Sequence, residues 1–375
     1  MLVLDRAIQT TGTAAYVAYG SSHNPDMRYL TRFRTDDPVI FIKRPEERGR
    51  IVVGQMEVAR AIRESTATPM SRAESGLLDI MKEEPDPAKA IAITIARLAG
   101  GAVLVPPSLP YQIGHELEAL GRVIIDAHSV RSMRSIKNEW ELTQIQAVQT
   151  AAEAAMDCAV AMIRNAVPVK ETLFHHDAPL TSERVRAAMH KSLADAGCHA
   201  LDTIVSCGKD TAVPHVVGRG PLLSNEPIVI DIFPQHDYSG YYSDMTRTVA
   251  RGEPDGTILE MYHTVREAQD RGQSLLRAGV TGQEVHQAVV DLMSERGFES
   301  GNRGFIHNLG HGVGLEVHEE PSLGPGGGEL AAGNVVTVEP GLYYEGTGGI
   351  RLENICTITE GGSVCFTRFP REFIL

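Results

Sequence analysis

The sequence predicts an α+β domain over residues 136–375, preceded by a small α/β domain over residues 1–135. Three observations predict this. Short β-branched runs alternate with helical runs in the first third of the chain. A long helical pattern without proline starts near residue 137. Beyond it, apolar strand-like runs are separated by further helices and carry carboxylates where a core side chain is expected.

In the first third, PVIFI (38–42) and RIVVG (50–54) read as strands, and EVARAIRES opens a helix. AVLVP (102–106) is a strand, GHELEALG (114–121) a helix and RVIIDA (122–127) a strand again. Such alternation is the pattern of a small α/β domain. Residues 137–165, KNEWELTQIQAVQTAAEAAMDCAVAMIRN, place apolar side chains at three- and four-residue spacing and predict the helix that opens the second domain. LTSERVRAAMHKSLADAG predicts a second helix capped by Thr181 or Ser182 and stopped at Gly197, and TGQEVHQAVVDLMSERG (281–297) a third. TIVSCG (203–208), IVIDIF (228–233), NVVTVEPGLYY (334–344) and IRLENICTIT (350–359) predict strands.

With 375 residues, the chain has room for two domains of roughly 100–200 residues each. Its 42% hydrophobic and 22% charged content is that of a globular protein, and a net charge of −13 argues against nucleic acid or an anionic membrane as partner. The five cysteines, Cys158, Cys198, Cys207, Cys356 and Cys365, are odd in number and lack paired metal-type spacing, which predicts reduced thiols in a cytoplasmic protein. The start MLVLDRAIQT interrupts its apolar run with Asp5 and Arg6, unlike a secretory signal, and AIAITIARLAGGAVLV is too short to span a bilayer.

The chemistry concentrates in the second domain. Asp231 sits within IVIDIF and Asp244 follows a Gly/Pro/Tyr-rich turn. FIHNLGHGVGLEVHEEP (305–321) supplies His307, His311 and His318, with glycines at 310, 312 and 314 that would let backbone come close to whatever His311 holds. Glu339 ends an apolar strand, and Glu353 lies in another with Arg351 two residues earlier. Taken singly, an acid near a strand end is a solvated edge residue and a histidine near glycines a turn residue. Four carboxylates on apolar strands beside one histidine need a shared compensating charge, because a buried carboxylate without a partner is costly. Two divalent cations supply four positive charges, and an oxygen-dominated donor set favours hard ions such as manganese, with cobalt or zinc as alternatives. Two such ions about 3.5–4 Å apart make a bridging water acidic enough to serve as nucleophile near neutral pH.

IDIFPQHDYSGYYSDMTRT, HNLGHGVGLEVHEEP, VEPGLYY and GGIRLEN together resemble the pita-bread metallopeptidases, and the α/β leader with SIKNEWELTQIQAV resembles the prolidase and Xaa-Pro aminopeptidase branch. The resemblance covers most of residues 137–360. It implies the pita-bread fold for the C-terminal domain, a creatinase-like leader and hydrolysis of the peptide bond before proline. It also implies that Asp231 binds one metal, His311 and Glu339 the other, and that Asp244 and Glu353 bridge them. Glu339 would shuttle the proton of the bridging water, His318 would stabilise the tetrahedral intermediate, and His215 and His307 would line the substrate side. Arg351 would bond a ligand carboxylate. A homodimer acting on proline-containing di- or oligopeptides is the implied assembly and partner. Non-catalytic binding modules and metal-free, creatinase-like hydrolases share the fold, but they have lost ligands that are complete here.

Two departures from the family pattern bear on substrate. DIFPQ lengthens the link between the first two aspartates. The arginine that prolidases often carry shortly after the HE.P motif is missing, since Pro321 is followed by SLGPGGG. A dipeptide carboxylate in an apolar proline site needs a cation, best a bidentate arginine. The basic turn KRPEERGR, with Lys43, Arg44, Arg48 and Arg50, reads either as a solvated surface turn or as the source of that arginine, reaching an active site such as a dimer partner's.

Overall fold

The computed structural model of the chain describes residues 2–375. The chain divides into two compact units, the first ending at Arg134 and the second running Ser135–Leu375.

The first unit contains α1 (Leu2–Thr11), β1 (Ala15–Gly20), α2 (Pro25–Thr31), β2 (Val39–Lys43), β3 (Arg50–Val53), α3 (Val58–Glu64), β4 (Thr68–Ser71), α4 (Leu77–Glu83), α5 (Pro87–Ala99), β5 (Val103–Val105), α6 (Tyr111–Leu120), β6 (Val123–Ile125) and α7 (Ser129–Ser135). Its strands form one mixed sheet in the order β4-β3-β2-β1-β5-β6. Alternate residues of β1 are buried on opposite faces: Tyr16 and Ala18 join a core with Leu4 and Ile8 of α1, while Ala15 and Val17 join one with Ala92 and Ile95 of α5. A sheet covered on both sides explains the near-continuous apolar runs of its strands.

The basic turn in this unit is not a set of free cations. Lys43 is 1% exposed and paired with Asp5. Arg44 donates to the Leu98 carbonyl at 2.6 Å, Arg48 to the Thr66 carbonyl at 2.6 Å, and Arg50 pairs with Glu47 at 2.7 Å. These cations are used to close their own unit.

The second unit opens with α8 (Glu139–Arg164), whose Asn138 and Glu141 form a reciprocal capping box. A small sheet follows, built from β7 (Val167–Val169), β8 (Thr172–His175) and β9 (Ala178–Pro179). Next come α9 (Ser182–Asp195), capped by Thr181, and β10 (Cys198–His199). Gly197, just past α9, takes φ +68°, which glycine adopts without a Cβ penalty. Then come β11 (Ile204–Cys207), β12 (Ile228–Ile232), β13 (Gln235–His236) and β14 (Met245–Val249), with β11, β12 and β14 forming an antiparallel sheet. Helices α10 (Gly256–Leu275) and α11 (Gly282–Glu295) precede β15 (Gly310–Gly312), β16 (Glu319–Leu323), β17 (Val335–Val338), β18 (Gly341–Tyr344), β19 (Gly348–Arg351), β20 (Asn354–Thr359) and β21 (Gly362–Cys365). A five-stranded sheet has the order β16-β15-β17-β20-β21, and β18 pairs with β19 as a separate ribbon. The apolar faces of α8 and α9 pack on the three-stranded sheet, and those of α10 and α11 on the five-stranded one.

Three sequence expectations need correction. NVVTVEPGLYY is two strands, broken at Glu339 and Pro340, where proline has no N–H for a ladder. IRLENICTIT is likewise two strands, because Leu352 and Glu353 cross from the ribbon to the larger sheet; the Glu353 amide bonds the Thr246 carbonyl at 3.0 Å on the way. Helix α10 was not expected at all, although Asp255 caps it by accepting from the Thr257 amide at 2.8 Å.

Candidate metal centre

Asp231 is the acid that lies inside a strand: it pairs in register with Ile204 on one side and Thr246 on the other. Asp244 stands immediately before β14, Glu339 immediately after β17, and Glu353 at the break between β19 and β20. His311 is the middle residue of β15. Strand ends at sheet junctions thus supply three of the four acids, and a strand interior supplies the fourth. The flanking glycines serve packing: a Cβ at Gly310 would collide with the Thr337 carbonyl and one at Gly312 with that of Glu320, so neighbouring protein, not a ligand, fills the space they free.

The His311 Nε2 atom lies 3.1 Å from Glu339 Oε1 and 3.8 Å from Asp244 Oδ2. Its Nδ1 faces the Gly312 carbonyl at 3.1 Å. A carbonyl only accepts, so Nδ1 carries one proton; with no metal bound Nε2 carries a second and donates it to Glu339, and loss of that proton would free the Nε2 lone pair for a cation. One donor atom each from Asp244, His311 and Glu353 lie within 4.8 Å of one another, a grouping that could hold a metal ion. Asp231, Asp244 and Glu353 are buried.

Hydrogen bonds fix one oxygen of several acids. Arg351 donates to Asp231 Oδ2 at 2.8 Å, Thr246 Oγ1 to Glu353 Oε2 at 2.8 Å, and Thr337 Oγ1 to Glu339 Oε1 at 3.2 Å. Asp231 Oδ1, Asp244 Oδ1 and Glu353 Oε1 are buried acceptors with no donor in the fold. An unsatisfied buried polar atom costs ~1–3 kcal/mol, so three in one cluster fit a cation-binding role.

The charges bear this out. Burial, then the charges of Glu353 and Asp231, hold Asp244 protonated far above the usual carboxylate range. Burial, then Glu339 and Asp231, push Glu353 to about 8. Burial would raise Glu339 too, but its hydrogen bond and attraction to His311 prevail and bring it to about 2. For His311 the lowering effect of burial is outweighed by Glu339, giving about 8.

Around the acids lies a hydrogen-bonded chain that composition alone does not reveal. His307 Nδ1 donates to the Asn308 carbonyl at 2.7 Å, which leaves His307 Nε2 to accept from the Tyr343 hydroxyl at 3.0 Å. Tyr343 in turn accepts from Arg351 at 2.9 Å, and Arg351 reaches Asp231. Sequence reasoning missed Tyr343 and Thr246, and Tyr344 beside it shows that a tyrosine in this strand carries no signal of its own. The exposed His318 stands edge-on to His311, with ring centroids 4.2 Å apart. His215, also exposed, is close enough for its charge to act on His307 and His318. Just beyond His318, Glu319 forms a buried ion pair with Lys137 at 2.6 Å, tying β16 to the residues that precede α8.

Residues 143–360 match metallopeptidase family M24. A Bacillus subtilis peptidase is 39% identical over 48% of this chain, and the chain spans half of that relative's length. An Xaa-Pro dipeptidase of Pyrococcus horikoshii is 32% identical over 72% of this chain and 74% of its own. The solved structure of an Xaa-Pro dipeptidase from Bacillus anthracis superposes with a TM-score of 0.84 at 26% identity, covering 100% of this chain and 98% of that one. No helix among the described residues is long and apolar enough to cross a membrane. By the family match over residues 143–360 and its likeness to these relatives, the chain belongs to metallopeptidase family M24 and has the pita-bread fold of its prolidase branch.

Proposed function

We propose that the chain hydrolyses the peptide bond before proline, acting on Xaa-Pro dipeptides, with two divalent metal ions held by Asp231, Asp244, His311, Glu339 and Glu353. The observation that carries this reading is the set of three donorless carboxylate oxygens gathered beside His311. Asp244 and Glu353, whose carboxyls burial first and neighbouring acids second hold above the usual carboxylate range, would be among the groups that hold the metals. Bound there, the metals, manganese by the hardness of the donors, supply Lewis acidity and a water acidic enough to act as nucleophile near pH 7.

The remaining steps belong to the protein. Glu339, held ionised beside His311, accepts the proton of the attacking water and returns it to the leaving proline nitrogen. His318, at the exposed edge of the cluster, donates to the oxyanion of the tetrahedral intermediate. His215 and His307 line the substrate side. Arg351 and Tyr343 hold Asp231 in one orientation, the kind of support that fixes a ligand's geometry.

A second reading, an Xaa-Pro aminopeptidase acting on longer peptides, is favoured by the state of the leader's basic turn: Arg44 and Arg48 are spent on carbonyls of their own unit, and SLGPGGG adds no cation after Pro321. Rates on Ala-Pro, Ala-Pro-Ala and Met-Ala with added manganese separate the readings. Turnover of Ala-Pro above the others supports the dipeptidase, preference for Ala-Pro-Ala supports the aminopeptidase, and preference for Met-Ala overturns both. A chelator should abolish all three rates.

A further inference from the structure

The hairpin that follows Glu353 carries two cysteines that play no part in the site described above. Strand β20 turns through Glu360 and Gly361 into β21, and Cys356 lies directly opposite Cys365 in the register. The next pair along, Ile355 and Phe366, is hydrogen-bonded, the Phe366 amide donating to the Ile355 carbonyl at 2.9 Å. Hydrogen-bonded and non-hydrogen-bonded pairs alternate in an antiparallel ladder, so Cys356 and Cys365 form a non-hydrogen-bonded pair, where facing Cα atoms come to about 4.5 Å. That lies within the roughly 4.4–6.8 Å a disulfide spans. Both side chains point to the same face, into the core beneath α10. Both are free thiols: Cys356 is 1% exposed and accepts a long hydrogen bond from Gln273, whereas Cys365 is partly exposed.

We propose that Cys356 and Cys365 are a reversible redox pair that closes to a cross-strand disulfide on exposure to low-molecular-weight disulfides. The more exposed sulfur, as thiolate, attacks one sulfur of the small disulfide and expels the other half as a thiolate, leaving a mixed disulfide on Cys365. The Cys356 thiol then gives up its proton and attacks the Cys365 sulfur, releasing the second small thiol. Two protein thiols are oxidised and one small disulfide is reduced to two thiols, so electrons and protons balance. The division of labour agrees with the chemistry of each sulfur. The hydrogen bond from the Cys356 thiol is the main reason Cys365 titrates near 7, while that same bond, followed by burial, keeps Cys356 protonated.

The staple has a structural purpose. β21 is an edge strand of the five-stranded sheet, and an edge presents unpaired backbone groups to other chains. A disulfide across the last pair of strands prevents β21 from peeling away and keeps β20, which follows Glu353 directly, in register. It is a modification distinct from the proposed peptidase chemistry and independent of it.

The test is to incubate the full-length chain with oxidised glutathione and map its thiols by mass spectrometry after digestion. The expected product is a cross-link between the Cys356 and Cys365 peptides, lighter by about 2 Da, free of glutathione and reversed by dithiothreitol. Cys356→Ser should trap one glutathione on Cys365, and Cys365→Ser should leave Cys356 unmodified. Glutathione retained on Cys365 in the unaltered chain, or both thiols still free while other cysteines react, would overturn the proposal.

Discussion

The fold favours the protonated forms of Asp244 and Glu353, and the sign of that shift sets how the metal-free protein responds to pH. Both carboxyls, and His311, have pKa values raised by the fold. A group whose folded pKa exceeds its unfolded value binds more protons when folded, so stability falls as pH rises between the two values. For Glu353 that window runs from the unfolded value near 4.5 to about 8, and for His311 from 6.5 to about 8. Glu339 acts in the opposite sense, but only below its unfolded value near 4.5. The melting temperature of chelator-treated protein should therefore decline from pH 5 to pH 8, and added manganese should restore most at the alkaline end. Asp244→Asn or Glu353→Gln should abolish metal uptake and hydrolysis while flattening that decline, because each removes one of the repelling charges. A variant that still binds two metals would refute the assignment of its residue. These acids were legible in the sequence because their type contradicts their apolar surroundings. Tyr343 was not, since a tyrosine in a strand is equally at home in a core, and only its contacts with Arg351 and His307 set it apart.

At the scale of elements, the centre depends on side chains that grip backbone at the ligand positions. Gln269, fully buried on α10, donates to the Val338 carbonyl at 3.0 Å, one residue before Glu339, and accepts from Arg371 of the C-terminal segment at 3.0 Å. Arg247, 1% exposed on β14, donates to the Glu353 carbonyl at 2.6 Å and to the Phe369 and Pro370 carbonyls. The C-terminal segment is thereby wired to the backbone at two of the acids. Gln269→Leu removes the side-chain donor of the Val338 carbonyl and the acceptor of Arg371, and should cost about 1–3 kcal/mol of stability. Because Glu339 follows directly, the same change should weaken metal binding measured by calorimetry; unaltered affinity would show that Glu339 is held by its strand alone. The helices capped by Asn138, Thr181 and Thr281 were readable from local signals. The strand breaks at Glu339 and Glu353 were not, because a continuous apolar run carries no mark of where a chain changes sheet.

For the molecule as a whole, the first unit makes a separate claim on its arginines. Arg44→Ala and Arg48→Ala should each lower stability by about 1 kcal/mol, the usual net worth of a hydrogen bond, read from denaturant midpoints. Neither should change the Michaelis constant for Ala-Pro relative to its amide. A selective rise for Ala-Pro would show that the turn senses the substrate carboxylate after all. The fold class was apparent from alternation and helix periodicity, whereas the engagement of the basic turn depends on the Leu98 and Thr66 carbonyls, 54 and 18 residues from their arginines.

The bond from Arg351 to Asp231 joins residues 120 positions apart. A chain emerging from the ribosome therefore exposes Asp231 and Asp244 long before Glu339, Arg351 and Glu353 exist to join them. Contacts of such separation form late, since a long loop must close before they gain anything. Under the proposed ligand assignment, the full metal complement is acquired only once the chain has been made past Glu353, and a nascent chain that stalls before residue 339 would hold two aspartates without the partners assigned to them.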